Sequence, residues 1–127
     1  MTVIRSFKDL DAWKVAMRLT VEVYGVAKQL PATERFELAA QMRRAAVSVP
    51  SNVAEGQANG RGGRYRHHVR IALGSWAELV THLELLKLLE LVDPTKLGSM
   101  ETQLEKTGQL LHGLLRSLRT KTVAKTA

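Results

Sequence analysis

The chain contains no cysteine, which excludes disulfide scaffolds, thiolate metal sites and thiol nucleophiles. Aromatic residues make up only 5% of it, and proline occurs three times, at Pro31, Pro50 and Pro94. No apolar run approaches the roughly eighteen residues of a membrane-spanning helix; even Leu83 to Val92 is broken by Glu84, Lys87 and Glu90. The opening residues, Met1 to Asp9, lack the apolar core of a signal peptide. A cytoplasmic protein without membrane attachment is expected. Acid is missing locally as well: the stretches Arg61 to Arg70 and Arg116 to Ala127 hold eight Lys and Arg and no Asp or Glu.

The 127 residues, 45% of them hydrophobic, suffice for one domain with a real core and are too few for two ordinary ones. The net charge is +7, and outside the two acid-free stretches eleven basic residues face twelve acidic ones. Positive charge confined to two short places points to a polyanion partner, RNA or DNA, held through its phosphates without base-sequence readout.

Proline and glycine punctuate the chain where helices end: Pro31, the run Gly56 to Gly63, and Asp93-Pro94. Between them apolar residues recur every three or four positions, which predicts helices over 8–30, 33–57, 63–91 and 94–120, followed by a basic, disordered tail over 121–127. Short connections make successive helices antiparallel neighbours, so the fold class is all-α, an up-down-up-down antiparallel four-helix bundle. At 1.5 Å per residue the first three helices would each be roughly 35–45 Å long.

Two helices carry more apolar surface than such a bundle needs. The first has one stripe of Leu10, Trp13, Met17, Val21 and Tyr24 and a second of Val15, Leu19, Val23, Val26 and Leu30. The third has Tyr65, Val69, Trp76, Val80 and Leu83 on one side and Ile71, Leu85, Leu86 and Leu89 on the other. A lone bundle buries one face of somewhat over 100°, so the second faces predict either an unusually deep monomeric core or, the favoured reading, a homo-oligomer. The fourth helix, with the single stripe Met100, Leu104, Leu111, Leu115 and Leu118, reads as an outer helix.

Opposite the apolar set Leu38, Met42, Ala45, Val49 and Val53, the second helix presents Glu37, Gln41, Arg44, Ser48, Ser51, Asn52 and Glu55. Hydroxyls and amides stand where a solvated face would favour long charged side chains, which suits a packed surface with satisfied polar groups. Ser75, Glu78 and His82 of the third helix are the expected partners, giving a structural network of Gln41, Arg44, Ser48, Asn52, Glu55, Ser75, Glu78 and His82, within one chain or across a subunit boundary. Arg44 is the expected cation for Glu78 or Glu55, because a paired charge avoids the cost of a lone buried one. A solvated face and a catalytic or metal centre are the competing readings. A di-iron bundle needs Glu-x-x-His from two helices, whereas here Glu78 and His82 stand alone at another spacing. Pro50 removes a donor and crowds the carbonyl of Ala46, so a kink is expected.

Candidate nucleic-acid contacts are Arg61, Arg64, Arg66 and Arg70, with Arg116, Arg119 and Lys121 from the C-terminal stretch. Forked guanidinium donors suit phosphate oxygens, glycine allows close backbone approach, and the start of the third helix adds its dipole. Tyr65 either stacks on a base or, in line with Val69, joins the core. No Gly-x-Ser-x-Gly elbow, His-Glu-x-x-His pair or Gly-Lys-Ser/Thr phosphate loop is present, so no catalytic residue, metal or cofactor is assigned.

Phe7-Lys-Asp-Leu-Asp-Ala-Trp13, Leu30-Pro-Ala-Thr-Glu-Arg-Phe36, Gln41-Met-Arg-Arg-Ala-Ala-Val-Ser-Val-Pro-Ser-Asn-Val-Ala-Glu-Gly56 and Gly74-Ser-Trp-Ala-Glu78 resemble the bacterial four-helix bundle proteins encoded within intervening sequences of 23S ribosomal RNA genes. The resemblance spans roughly Phe7 to Leu91, with the fourth helix similar in pattern only. It implies a ring-like homopentamer with a basic surface, no enzymatic activity and a role in binding nucleic acid. A similar bundle is an accessory protein of a reverse transcriptase, which makes a protein-interaction scaffold or accessory subunit the alternative function.

Overall fold

A computed structural model of the chain describes residues 4–60 and 63–126, with 119–126 described by backbone alone. Four helices account for nearly all of it: α1 Asp11–Ala27, α2 Leu38–Asn59, α3 Gly63–Leu88 and α4 Gly98–Thr126. Three 3-10 turns, Phe7–Asp9, Ala32–Glu34 and Pro94–Lys96, stand where the apolar periodicity starts the first, second and fourth helices. Two of them are closed by side-chain caps. Ser6 and Asp9 form a capping box that closes the first turn on itself, so α1 starts only at Asp11. Asp93 accepts hydrogen bonds from the Thr95 amide and hydroxyl, capping the turn that begins at Pro94. The same bonds hold the Asp93 carboxyl below its ordinary pKa. At the far end of α3, Glu90 takes a positive φ of 51° and ends the helix at Leu88, short of the expected residue 91. With 17 residues, α1 is about 25 Å long, shorter than expected.

Each helix packs against two neighbours in the cyclic order α1, α2, α3, α4. Bonds between them establish antiparallel courses: Ser48 pairs with Ser75 and Asn52 with His68 across α2 and α3, while Lys87 meets Glu101 and Trp76 meets Leu104 across α3 and α4. The interior is filled by Leu19 and Val23 of α1, Met42, Val49 and Val53 of α2, Leu79 and Leu86 of α3, and Met100 and Leu111 of α4, all fully buried. Small residues, Ala12 and Ala16 on α1 and Ala45 and Ala46 on α2, line the core between them.

Burial separates the two stripes of α1. The Leu19, Val23, Val26 and Leu30 stripe is buried, whereas Met17, Val21 and Tyr24 are exposed, Val21 by 71%. On α3, Val69 and Leu83 are buried, and so is Leu86, which the apolar spacing assigns to the second face; Ile71 and Leu85 remain at the surface, as does Leu89 just past the helix end. A single chain therefore leaves part of each doubly apolar helix uncovered.

Pro50 lies within α2, which continues through it to Asn59. Proline has no amide hydrogen to give the carbonyl of Ala46. The Thr20 hydroxyl of α1 reaches that carbonyl at 3.1 Å while also meeting the carbonyl of Ala16 at 2.8 Å. The one hydroxyl hydrogen is shared between the two carbonyls, and its longer arm gives the acceptor that proline orphans a partner from the neighbouring helix, tying α1 to α2. Replacing it with an isosteric methyl leaves the buried acceptor unpaired: Thr20→Val should lower unfolding free energy by about 1–3 kcal/mol. Urea denaturation measures this, and an unchanged midpoint contradicts the role assigned to Thr20.

Candidate nucleic-acid interface

The corner between α2 and α3 is built by close backbone approach. Gly60 donates its amide to the carbonyl of Gly56 at 2.8 Å, and a Cβ at Gly60 would fall 2.8 Å from the Tyr65 amide nitrogen. At Gly56 a Cβ would stand 3.1 Å from the Tyr65 ring and 3.0 Å from Cβ of His68. Glycine at both places lets α3 turn back directly onto α2. Tyr65 is half-buried against this corner, and desolvation pushes its phenol pKa up.

From this corner the basic residues of α3 project. Arg64 and Arg70 are exposed; Arg66 is half-buried, and its Nε is out of water with no hydrogen-bond acceptor. Arg116 of α4 is exposed. Arg61 and the side chains of Arg119 and Lys121 lie outside the described residues. Because α3 starts where α4 ends, the described parts of the two acid-free stretches, 46 residues apart at their nearest, share one end of the bundle.

Behind that end runs a chain of polar contacts between α2 and α3. Ser75 donates to the Ser48 hydroxyl at 2.8 Å, and Asn52 Nδ2 donates to the Ser48 carbonyl at 2.9 Å and its hydroxyl at 3.1 Å. With the Asn52 amide so oriented, its Oδ1 accepts from His68 Nδ1 at 3.0 Å, which fixes the proton on that nitrogen. The Glu55 carboxylate stands 3.6 Å from the same His68 nitrogen. His68, assigned by sequence to the basic stretch, is thus part of the α2–α3 seam. Its heptad spacing to Ser75 and then to His82 is the signal that places all three on one line of α3.

The other expected members sit differently. Gln41, Arg44 and Glu78 are exposed and, with Ala45, Ser48 and Ser75, line an open cleft of ≈340 Å³. Within one chain, no ion pair joins Arg44 to Glu78 or Glu55 among the described residues. In water such a pair gains little, so nothing compels it to close. His82 is 4% exposed, and its Nδ1 has no hydrogen-bond partner. Desolvation lowers its pKa, and the nearby Glu78 carboxylate opposes this more weakly. No group of three or more His, Asp or Glu side chains among the described residues is arranged to hold a metal ion.

Four antiparallel helices with a hydrogen-bonded polar seam define a small up-and-down four-helix bundle protein. The family model described as 23S rRNA-intervening sequence protein matches residues 8–113, and the chain belongs to that family. The match runs on into α4, beyond the stretch whose motifs carry the resemblance. No curated protein matches the chain.

A buried imidazole that folds in its neutral form gives a pH test. The unfolded chain binds the His82 proton near pH 6.5 and the folded chain only at lower pH, so this stability is complete above about pH 6.5 and is lost as pH falls below it. The melting temperature should drop as pH falls below about 6.5, and His82→Gln should flatten that drop. An identical drop in the variant contradicts the assignment.

Proposed function

We propose that this chain is a non-enzymatic, cytoplasmic bundle that self-associates and binds RNA or DNA through phosphate contacts at the end where α3 begins and α4 finishes. What supports the reading is the antiparallel course, in which the start of α3 and the last turns of α4, the described parts of two stretches without an acidic residue, lie at one end. Arg64 and Arg70 are exposed there, and guanidinium groups pair with phosphate oxygens in forked geometry. The opposite end interleaves Lys28, Arg35, Arg43, Lys87 and Lys96 with Glu34, Glu37, Glu84, Glu90, Asp93 and Glu101, so its charges balance and it offers a polyanion no comparable field.

Self-association supplies what a single small patch lacks. Met17, Val21, Tyr24, Ile71, Leu85 and Leu89 are the apolar residues that neighbouring copies would cover. A homopentamer, the state that the family resemblance implies, would repeat the basic end five times and multiply a weak phosphate affinity along one polymer. The chain has no helix, among the described residues, that is long and apolar enough to cross a membrane.

Binding to an unstructured RNA should weaken linearly in log affinity with log salt. Changing Arg64, Arg66 and Arg70 together to Gln should weaken it at every sequence tested and make the slope shallower by about 2–3, given about 0.7–0.9 per phosphate contact. A filter-binding or anisotropy titration decides this. Absence of binding at low salt removes the reading and leaves the alternative, a scaffold or accessory subunit of a nucleic-acid enzyme such as a reverse transcriptase.

A further inference from the structure

On the α3–α4 side of the bundle lies an open cleft of ≈450 Å³, lined by Trp76, Glu105, Gly108, Gln109, His112 and Arg116. Its volume falls within the range of about 300–1,000 Å³ usual for small-ligand sites. Three contacts fix the indole that forms its wall. Trp76 Nε1 donates to the carbonyl of Leu104 at 2.7 Å. Gly108 leaves the room the ring needs, since a Cβ there would stand 2.6 Å from the indole Cε2. His112 stands edge-on to the indole, centroids 5.6 Å apart and planes at 87°. The imidazole is itself oriented: its Nδ1 is 2.7 Å from the carbonyl of Gly108 and so carries the hydrogen. In the neutral ring Nε2 remains as an acceptor.

Burial accounts for only part of this arrangement. Trp76 is half-buried against the core, and His112 and Gln109 are exposed. The cleft combines an immobilised aromatic surface, an amide that both donates and accepts, a carboxylate acceptor from Glu105 and the guanidinium of Arg116. These are the groups that receive an unstacked nucleobase: a ring to stack on, hydrogen-bonding groups for its edge and a cation for the adjoining phosphate. Trp76 lies six residues beyond Arg70 on α3, about 9 Å along the axis, so a strand held at the basic end reaches the cleft within a few nucleotides. Bases in a duplex are stacked on each other and present no free face. Because the ring is already held by Leu104 and Gly108, binding costs little additional ordering.

We infer that the Trp76–His112 cleft is a nucleobase site, which makes single-stranded nucleic acid the preferred polymer of this protein. The inference rests on the polyanion reading of the basic end and adds the strand form. Two probes separate them: a single-stranded uridine oligonucleotide and inorganic polyphosphate of similar charge, which has no bases. In a Trp13→Phe protein, where Trp76 is the one remaining tryptophan, the oligonucleotide should quench indole emission and polyphosphate should not. Trp76→Leu should weaken oligonucleotide binding about tenfold and leave polyphosphate binding unchanged. His112→Ala, a change at an exposed position, should give a smaller loss in the same direction. Equal affinity for both polymers without quenching overturns the base site and leaves phosphate binding intact. Failure of both polymers to bind at low salt overturns the polyanion reading and the base site with it.

Discussion

A four-helix bundle buries one face of each helix, and two helices of this chain have more than one to bury. That mismatch governs the surface. The core takes Leu19, Val23 and Val26 from α1 and Leu79, Leu83 and Leu86 from α3, and it is then complete. Met17, Val21 and Tyr24 are left over on one helix, Ile71 and Leu85 on the other, with Leu89 just beyond its end. Apolar surface exposed in this quantity on a small domain is unfavourable in water, and covering it with a second copy removes the penalty. The proposed function leans on the same surplus, because a single basic end binds a polyanion weakly and several joined ends bind it well.

Between these faces α2 is held on both sides by polar contacts placed inside apolar packing. Towards α1, Thr20 answers the carbonyl that Pro50 deprives of its amide. Towards α3, Ser48, Asn52, Ser75 and His68 form a continuous hydrogen-bonded line. Each bond contributes modestly in net terms, but each polar group would be costly if the helices slid out of register. Such contacts select one alignment of α2 against its neighbours. That alignment sets the glycine corner at Gly56 and Gly60, and hence the point from which Arg64 and Arg70 project.

Helix number, order and class were legible from apolar spacing and from the positions of Pro31, Pro94 and the glycine run. Helix ends were less so. Nothing in the composition around Glu90 marks a left-handed residue, since glycine is absent there, and the 3-10 turn at Phe7–Asp9 retains the apolar spacing of a helix. The buried stripes of α2 and α4 could be read directly, because each of these helices has only one apolar face. For the candidate site, the hydroxyl and amide stripe of α2 announced Ser48 and Asn52, while the role of Thr20 depends on a contact 26 residues away and leaves no local trace. His68 was hidden by its basic neighbours. Arg44 and Glu78 illustrate the reverse: complementary charges suggested a pair, yet within one chain both groups are exposed, and solvation there removes the drive to close it.

The mass of the protein in solution tests the central claim most directly. Sedimentation or light scattering at micromolar concentration should return a multiple of the 14.1 kDa chain mass, and charges introduced at Val21 and Leu85 should reduce it without unfolding the helices. A compact 14.1 kDa species across that concentration range would contradict the account, for it would mean that one copy tolerates both uncovered apolar faces in water.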